Sequence, residues 1–524
     1  MDRNQHAEII IIGGGTGGCA AALAASKAGK TVVMTEESDW IGGQLTSQAV
    51  PPDENPWIEQ FGGTSAYREF RTRVRDYYRR NFRLRPDCQA DPGFNPGNAI
   101  VSLVAHEPRT ALAVLRDMLS PYIHKGTLTI LEHQKPVQAE TDGDVIRSVT
   151  VKCTLTGERT MLSGLYFLDA TEEGELLPLT GTEYVTGAES REETGEPHAL
   201  AGPADPKDMQ AFTWCYAIDH IEGGDFTIPK PAQYDFWRQY RAPFWPDRQL
   251  SWSGLVPHTL EPVTYSFFPD GKSFSLWTYR RVIDRLQFAE GSFDSDITLV
   301  NWPQNDYWLG PIIDVAEEER QRHLEGARQL SLSLLYWMQT EAPRPDGGAG
   351  YPGIRLRGDV TGTRDGLAKM PYIRESRRIK AETTIVEQHV NPACRDNGMA
   401  EDYADSVGIG GYRIDLHPST ALRTYIDVSC LPFQIPLGSL IPVRVDNLVA
   451  ACKNIGTTHI TNGCYRLHPV EWNIGEAAGY LAAYCVEHGM QPRAVRANPA
   501  ALEDYQSWLR QAGVECKWPS LYPL

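Results

Sequence analysis

The segment that most constrains this chain is Ile9-Ile10-Ile11-Ile12 running straight into Gly13-Gly14-Gly15-Thr16-Gly17-Gly18. A short β-branched run ended by glycine reads as a strand buried on both faces, as in a parallel sheet. Cys19 to Lys27 (CAAALAASK) is small and helix-forming, Ala28-Gly29 closes that helix, and Thr31 to Thr35 makes a second strand. Glu36 ends it, 18 residues after Gly18. The glycines at 13, 15 and 18 form GxGxxG inside a strand–turn–helix–strand unit, the context this fingerprint requires. Gly13 permits the tight turn, Gly15 lets the backbone approach a pyrophosphate, and Gly18 lets helix and strand pack closely. Thr16 and Gly17, within the same glycine-rich turn, are read as cofactor-binding too, and the N-terminus of the helix that follows offers free N–H groups and a positive dipole end to phosphate. Glu36 can accept both ribose hydroxyls of an adenosine, which favours FAD or NAD over NADP. The alternative is a glycine-rich turn with no ligand.

At 524 residues, with 41% hydrophobic and 22% charged residues, the chain has apolar material for a large core and is long enough for about three structural units. Its longest apolar runs, Ile9–Ile12 and Leu334–Met338, fall far short of the roughly 18 residues that cross a bilayer. The net charge of −17 repels phosphate backbones and anionic lipid, so the reading is a small-molecule substrate with no nucleic acid and no membrane partner. Self-association, as a homo-oligomer, stays open. The basic stretch Tyr67–Arg85 reads as a solvated helix face or, alternatively, an anion-binding surface. Ten scattered cysteines without a CxxC, behind an N-terminus lacking a basic stub and apolar core, imply reduced thiols in a cytoplasm.

Further along, Trp40–Thr46 carries a second glycine pair, placing Gly43 and Gln44 where another backbone stretch approaches a cofactor. Val445–Cys452 reads as a late apolar strand. Trp472–Gly479, with Gly475, Ala477 and Ala478, reads as a helix N-terminus pressed onto a ligand. Leu128–Cys153 predicts a hairpin about Asp142-Gly143-Asp144, 190–310 mixed sheet and loop, Glu317–Met338 a helix, and Pro343–Gly366 a loop. Gly348–Gly353 also matches GxGxxG, but Pro343, Pro345 and Pro352 exclude a buried strand around it.

With these segments in view, the sequence resembles the bacterial FAD-dependent oxidoreductases with a glutathione-reductase-like FAD-binding fold. The likeness is carried by GGGTGGCAAALAASKAGKTVVMTEE, IGGQLT, His106-Glu107-Pro108, FLDATEEGELLPLTG at 167–181, LVNWPQNDYW at 299–308, Arg374–Arg378, Gly411–His417 and VDNLVAACKNIGTTH. It implies an α/β protein: a discontinuous Rossmann-type FAD-binding domain (1–190 and 425–524) around an inserted mixed α+β substrate or cap domain (191–424). It also implies FAD as cofactor, with Asp169 and Thr171 of the Asp-Ala-Thr strand end beside it. This chain has Glu172-Glu173 where glycine usually follows that strand end, and Ala451-Cys452 where Ala-Gly is usual.

A flavin supplies the redox chemistry, while the protein supplies positioning and proton handling. Loss of hydride from a substrate C–H leaves an O–H or N–H proton to be taken, which suits histidine near neutral pH. His417, His459 and His468 lie in segments expected to fold back toward the flavin. Asp415, at i−2 from His417 on an extended segment, shares its face and is available to orient it. Each histidine has a structural alternative, and Asp415-x-His417 suggests no third metal ligand, so no metal is expected. Arg374, Arg377 and Arg378 read as flavin- or carboxylate-binding guanidiniums, or as a surface charge run. Glu172-Glu173 read as a solvated turn. Three functions follow: an FAD-dependent dehydrogenase or oxidase of an alcohol, sugar-like alcohol or amine with an unidentified electron acceptor; an NAD(P)H-dependent flavin hydroxylase; or an FAD-binding partner protein without small-molecule turnover.

Overall fold

The isoleucine run and its glycines build the centre of the molecule, in a computed structural model that describes residues 3–519. Ile9–Ile12 (β1) is a fully buried strand followed by helix Thr16–Lys27 (α1) and strand Val32–Thr35 (β2). Helix Pro108–Lys125 (α2) leads to Leu128–Leu131 (β3), and Tyr166–Asp169 (β4) and Leu448–Ala450 (β5) complete a five-stranded parallel sheet. Its order is β5-β4-β1-β2-β3, with Ile9 opposite Val32 on one side and Ile12 opposite Asp169 on the other. The chain leaves β1 in both directions across the sheet, and such a reversal opens a crevice at the carboxyl ends of the strands.

The long C-terminal helix His468–His488 (α3) lies against α1, and glycines set their separation. A methyl group in place of hydrogen at Gly475 would sit 2.0 Å from the Gly17 carbonyl oxygen, and one at Gly479 would sit 2.4 Å from that of Ala21. Gly475, Ala477 and Ala478 therefore belong to the interior of α3, which starts two turns earlier at His468; they are not at a helix N-terminus. Small residues here serve helix-on-helix packing, a use that looks the same in sequence as room for a ligand.

The hairpin is shifted from its expected span. Gln134–Asp142 pairs with Val145–Cys153 through Gly143 at φ +60°, while Leu128–Leu131 joins the parallel sheet. In the middle of the chain, Tyr216–His220, Arg281–Ile283, Ile297–Val300 and Ile354–Leu356 form an antiparallel sheet. The helix predicted at Glu317–Met338 runs from Glu317 to Thr340. Within 343–366 the chain adds the short strand Ile354–Leu356 and the turn of helix Gly358–Thr361. The second GxGxxG lies in the loop after the long helix, with Gly350 at φ +72° over the Gln339 carbonyl.

The basic stretch is helical from Ser65 to Asn81, yet two of its arginines are interior. Arg71 bonds Glu54 at 2.8 Å and Glu59 at 2.7 Å, and Arg75 bonds Glu59 at 2.5 Å. Acids from the preceding turn neutralise them, so that face is neither solvated nor free to bind anions. Among the described residues no helix is long and apolar enough to cross a membrane. All ten cysteines are free thiols.

The α1–α3 contact makes a direct prediction. Gly475→Ala forces a methyl group onto the Gly17 carbonyl, and overpacking of this kind costs about 1–3 kcal/mol. Thermal unfolding of the flavin-free variant is expected below wild type. An unchanged midpoint would mean the helices separate without cost.

Candidate functional site

The carboxyl ends of β1, β2 and β4 frame a cavity of about 220 Å³. Gly13, Gly14 and Gly15 form one wall, Glu36 lies at one end, and Gly43, Ala170, Thr171 and Glu172 close around the middle. At the other end are Ser47, Gln48, Trp214, Met370 and Ile373. Side chains are excluded from the glycine wall by clearance: at Gly13 (φ +98°) a methyl would sit 2.3 Å from the Ala170 oxygen. At Gly17 it would sit 2.0 Å from the Ala451 oxygen, and at Gly18 2.1 Å from the Gly13 oxygen. The second glycine pair bends at Gly42 (φ +110°) and Gly43 (φ +52°) into the short 3₁₀ turn Gly43–Leu45, and the Thr16 hydroxyl donates to the Gly42 carbonyl at 2.9 Å. The lining combines the acid Glu36, the bare backbone of Gly13, Gly14 and Gly15, and the apolar side chains of Trp214, Met370 and Ile373.

Glu36 is buried, and its Oε1 accepts from the Ser38 amide at 2.9 Å and the Ser38 hydroxyl at 2.8 Å. Burial pushes its carboxyl up to about 7, against the pull of those two donors. Thr171 lines the cavity, but Asp169 does not: its carboxylate accepts from the Thr171 amide and hydroxyl and the Leu176 amide, which ties the turn after β4. Arg377 is also outside the lining, clamped on Asp314 at 2.7 Å and on the Glu173 carbonyl. Glu172 and Glu173 are not a solvated turn. Glu173 bonds Arg320 at 2.5 Å, and Glu172 pairs with the buried ammonium of Lys453. Gln44 turns away from the crevice mouth, its amide donating to Glu471 at 2.6 Å and to the Arg466 carbonyl at 3.2 Å.

Beyond Gln44 lies a polar network whose members, His417 and Asp415 included, are not among the residues that line the cavity. Arg466 donates to the Tyr372 hydroxyl at 2.9 Å and to the Asp415 carbonyl and carboxylate at 3.0 and 3.3 Å. The His417 Nδ1 lies 2.6 Å from the Asp306 Oδ2, and the other Asp306 oxygen meets Arg374 at 3.0 Å and the Thr213 hydroxyl at 2.5 Å. Asp306 is completely buried, and Arg374 with the imidazole holds it below the usual carboxylate range despite burial. Asp415 stands 3.8 Å from the His417 Nε2, too far for a hydrogen bond. The carboxylate that orients His417 is therefore Asp306, 111 residues away in sequence, rather than its neighbour Asp415.

The other two histidines are interior. His459 is held between Glu375 at 3.0 Å and Arg423 at 3.0 Å. His468 accepts the Asp53 amide on Nδ1 at 3.0 Å, its Nε2 has no partner, and burial together with Arg280 holds it well below the usual imidazole range. Arg280, whose Asp53 contact is 3.4 Å, and the Asp53–His468 pair were not singled out in the sequence. Asp306 lay inside a segment noted only for likeness; nothing local marks it, because its partner is remote. Glu172, Cys452 and Glu471 form the one cluster of metal-ligating side chains among the described residues, and the Lys453 ammonium already supplies its positive charge.

Glu36 carries a pH signature. Its folded value lies above that of an unfolded glutamate, so its protonated form favours folding and that contribution is lost as pH rises through about 7. Relative to wild type, flavin-free Glu36→Gln is expected to gain stability progressively between about pH 4.5 and 7 and then level off. A stability difference flat with pH in parallel melts would contradict this.

The sequence matches the family described as FAD dependent oxidoreductase over residues 8–507. No curated protein matches it. Among solved structures, L-proline dehydrogenase from P. horikoshii is 13% identical with TM-score 0.18, covering 36% of this chain and 24% of that one. The geranylgeranyl bacteriochlorophyll reductase-like protein of Thermoplasma acidophilum is 10% identical with TM-score 0.32, covering 98% and 85% of the two chains. For p-nitrophenol 4-monooxygenase PnpA from Pseudomonas putida DLL-E4 the figures are 10%, 0.36, 97% and 88%. The matched region spans well under two thirds of the first of these, and scores this low carry no argument about reaction or substrate. Motif and family agree: the chain belongs to the FAD dependent oxidoreductase family and is an FAD-dependent enzyme.

Proposed function

We propose that this enzyme oxidises a small polar organic molecule, an alcohol, a sugar-like alcohol or an amine, and that His417 takes the proton its O–H or N–H gives up. The observation that carries this reading is the His417–Asp306 pair. A 2.6 Å contact fixes the ring, and the imidazole remains partly exposed while its carboxylate partner is completely buried. When bound, FAD supplies the hydride acceptor.

The remaining steps belong to the chain. Asp306, itself held by Arg374 and Thr213, sets the orientation of His417, in the way a buried carboxylate serves a catalytic histidine. Asp415, held by Arg466, stands 3.8 Å from that ring and offers an acceptor for a substrate hydroxyl or amino group. His468 and His459 are assigned to positioning: the first holds the Asp53 turn, and the second hydrogen-bonds Glu375. Gly13, Gly15, Thr16, Gly17, Gly18, Glu36, Gly43 and Thr171 are assigned to the cofactor, in a glutathione-reductase-like arrangement, with segment 191–424 as the cap.

The test is anaerobic reduction of the bound flavin by a panel of alcohols, polyols and amines. For whichever compound bleaches the flavin, His417→Gln is expected to slow reduction roughly 10²–10⁴-fold at unchanged FAD content. Asp306→Asn should slow it by a smaller factor and alter its pH profile. Reduction at the wild-type rate in His417→Gln across pH 6–8 would remove His417 from the role. Bleaching by NADPH alone would instead point to a flavin hydroxylase.

A further inference from the structure

The glycine cradle contains an acid of its own. The Glu172 Oε1 is wedged between the two glycine turns, 2.7 Å from where a methyl on Gly15 would sit and 2.5 Å from one on Gly43. That oxygen is fully shielded and makes no hydrogen bond. The other carboxylate oxygen pairs with Lys453, whose side chain is 1% exposed. A second acid, Glu471, takes the amide N–H of Gly17 in the first turn of α1 at 3.2 Å, a donor that dinucleotide sites offer to phosphate. Lys453 lies 3.8 Å from that acid as well. Burial alone would discharge an ammonium, but the carboxylates of Glu172 and Glu471 keep Lys453 charged.

A negatively charged group thus sits between Gly15 and Gly43, on the backbone surface where the cofactor's pyrophosphate is received, with a buried cation behind it. We propose that the Glu172 carboxylate is a built-in competitor for the pyrophosphate of FAD, and that Lys453 is the counter-charge passed from Glu172 to the pyrophosphate when the cofactor binds. The glutamate fills the cradle and neutralises the lysine in the flavin-free protein. On binding, the dianion takes the lysine and the glutamate swings out into the cavity it already lines, where its side chain is 21% exposed. Glycine at 172 would leave Lys453 facing Glu471 alone. The glutamate therefore accounts for how an ammonium can be kept fully interior before its phosphate partner arrives.

The experiment is fluorescence titration of the flavin-stripped full-length protein with FAD. Removing one like charge at this range corresponds to about a five- to tenfold change in affinity, so Glu172→Gln is expected to bind FAD that much more tightly than wild type. Lys453→Met alone strands Glu172 beside Glu471 and risks misfolding, so the lysine is tested in the Glu172→Gln/Lys453→Met double variant, which stays neutral at both positions. It should bind FAD about tenfold more weakly than Glu172→Gln alone, with Lys453→Arg on the Glu172→Gln background restoring most of the loss. Inorganic pyrophosphate should raise the melting temperature of Glu172→Gln more than that of wild type. Affinity equal to or below wild type in Glu172→Gln would overturn the competition and make Glu172 an acceptor for cofactor hydroxyls. Equal affinity in the single and double variants would overturn the role of Lys453.

Discussion

The parallel sheet, its crevice and the two long helices beside it depend on one close approach. The first turn of α1 is nested against three backbones at once: the turn after β1, the loop after β5, and the middle of α3. At each contact the clearance is that of a hydrogen atom, since methyls on Gly17, Gly18 and Gly475 would lie 2.0 to 2.1 Å from carbonyl oxygens. Side chains would push α1 outward and separate its N-terminal amides from the carboxyl ends of β4 and β5. The glycines act twice, holding the sheet and helices at the distance that makes a crevice and leaving bare backbone for a pyrophosphate.

Such a crevice concentrates charge in a place with little water, and the chain balances it with unusual local chemistry. Five glutamates, at 36, 37, 172, 173 and 175, line the cavity together with Arg320, and the buried Lys453 stands against Glu172 and against Glu471 beside Gly17. Burial favours the neutral form of Glu36, whereas the donors of Ser38, and ribose hydroxyls when present, favour the charged one. Cofactor affinity in such a site reflects how readily resident charges give way as much as it reflects new contacts.

The His417 network, which lies outside the residues lining the cavity, is built by remote support. His417 has a carboxylate neighbour two residues before it, yet its ring is held by Asp306 from a distant loop, and Asp306 is held in turn by Arg374 and Thr213. A network of this kind fixes tautomer and orientation with groups that are completely buried and have nowhere else to bond. His468 shows the opposite case: deep burial beside Arg280 keeps its ring neutral and ties it to the Asp53 amide.

Local pattern was enough for the parts of this protein whose physics is local. β1, the GxGxxG turn, α1, β2 and the acid at 36 follow from a β-branched run, a glycine spacing and a helix-forming stretch within thirty residues, and family likeness extended that unit to FAD. The helix read at 317–338 runs two residues further, and of the hairpin read at 128–153 only 134–153 forms it, because Leu128–Leu131 pairs into the parallel sheet instead. Other features required the folded chain, because their partners are far apart in sequence. Whether the small residues at 475–479 face a ligand or a helix depended on α1; whether Arg71 is solvated depended on Glu54 and Glu59. The orienting carboxylate of His417 came from 306 rather than 415, and the Glu172–Lys453 pair joined residues 281 positions apart. Spacing along a strand can place two side chains on one face, but only tertiary packing sets the few tenths of an ångström that separate a hydrogen bond from a near miss.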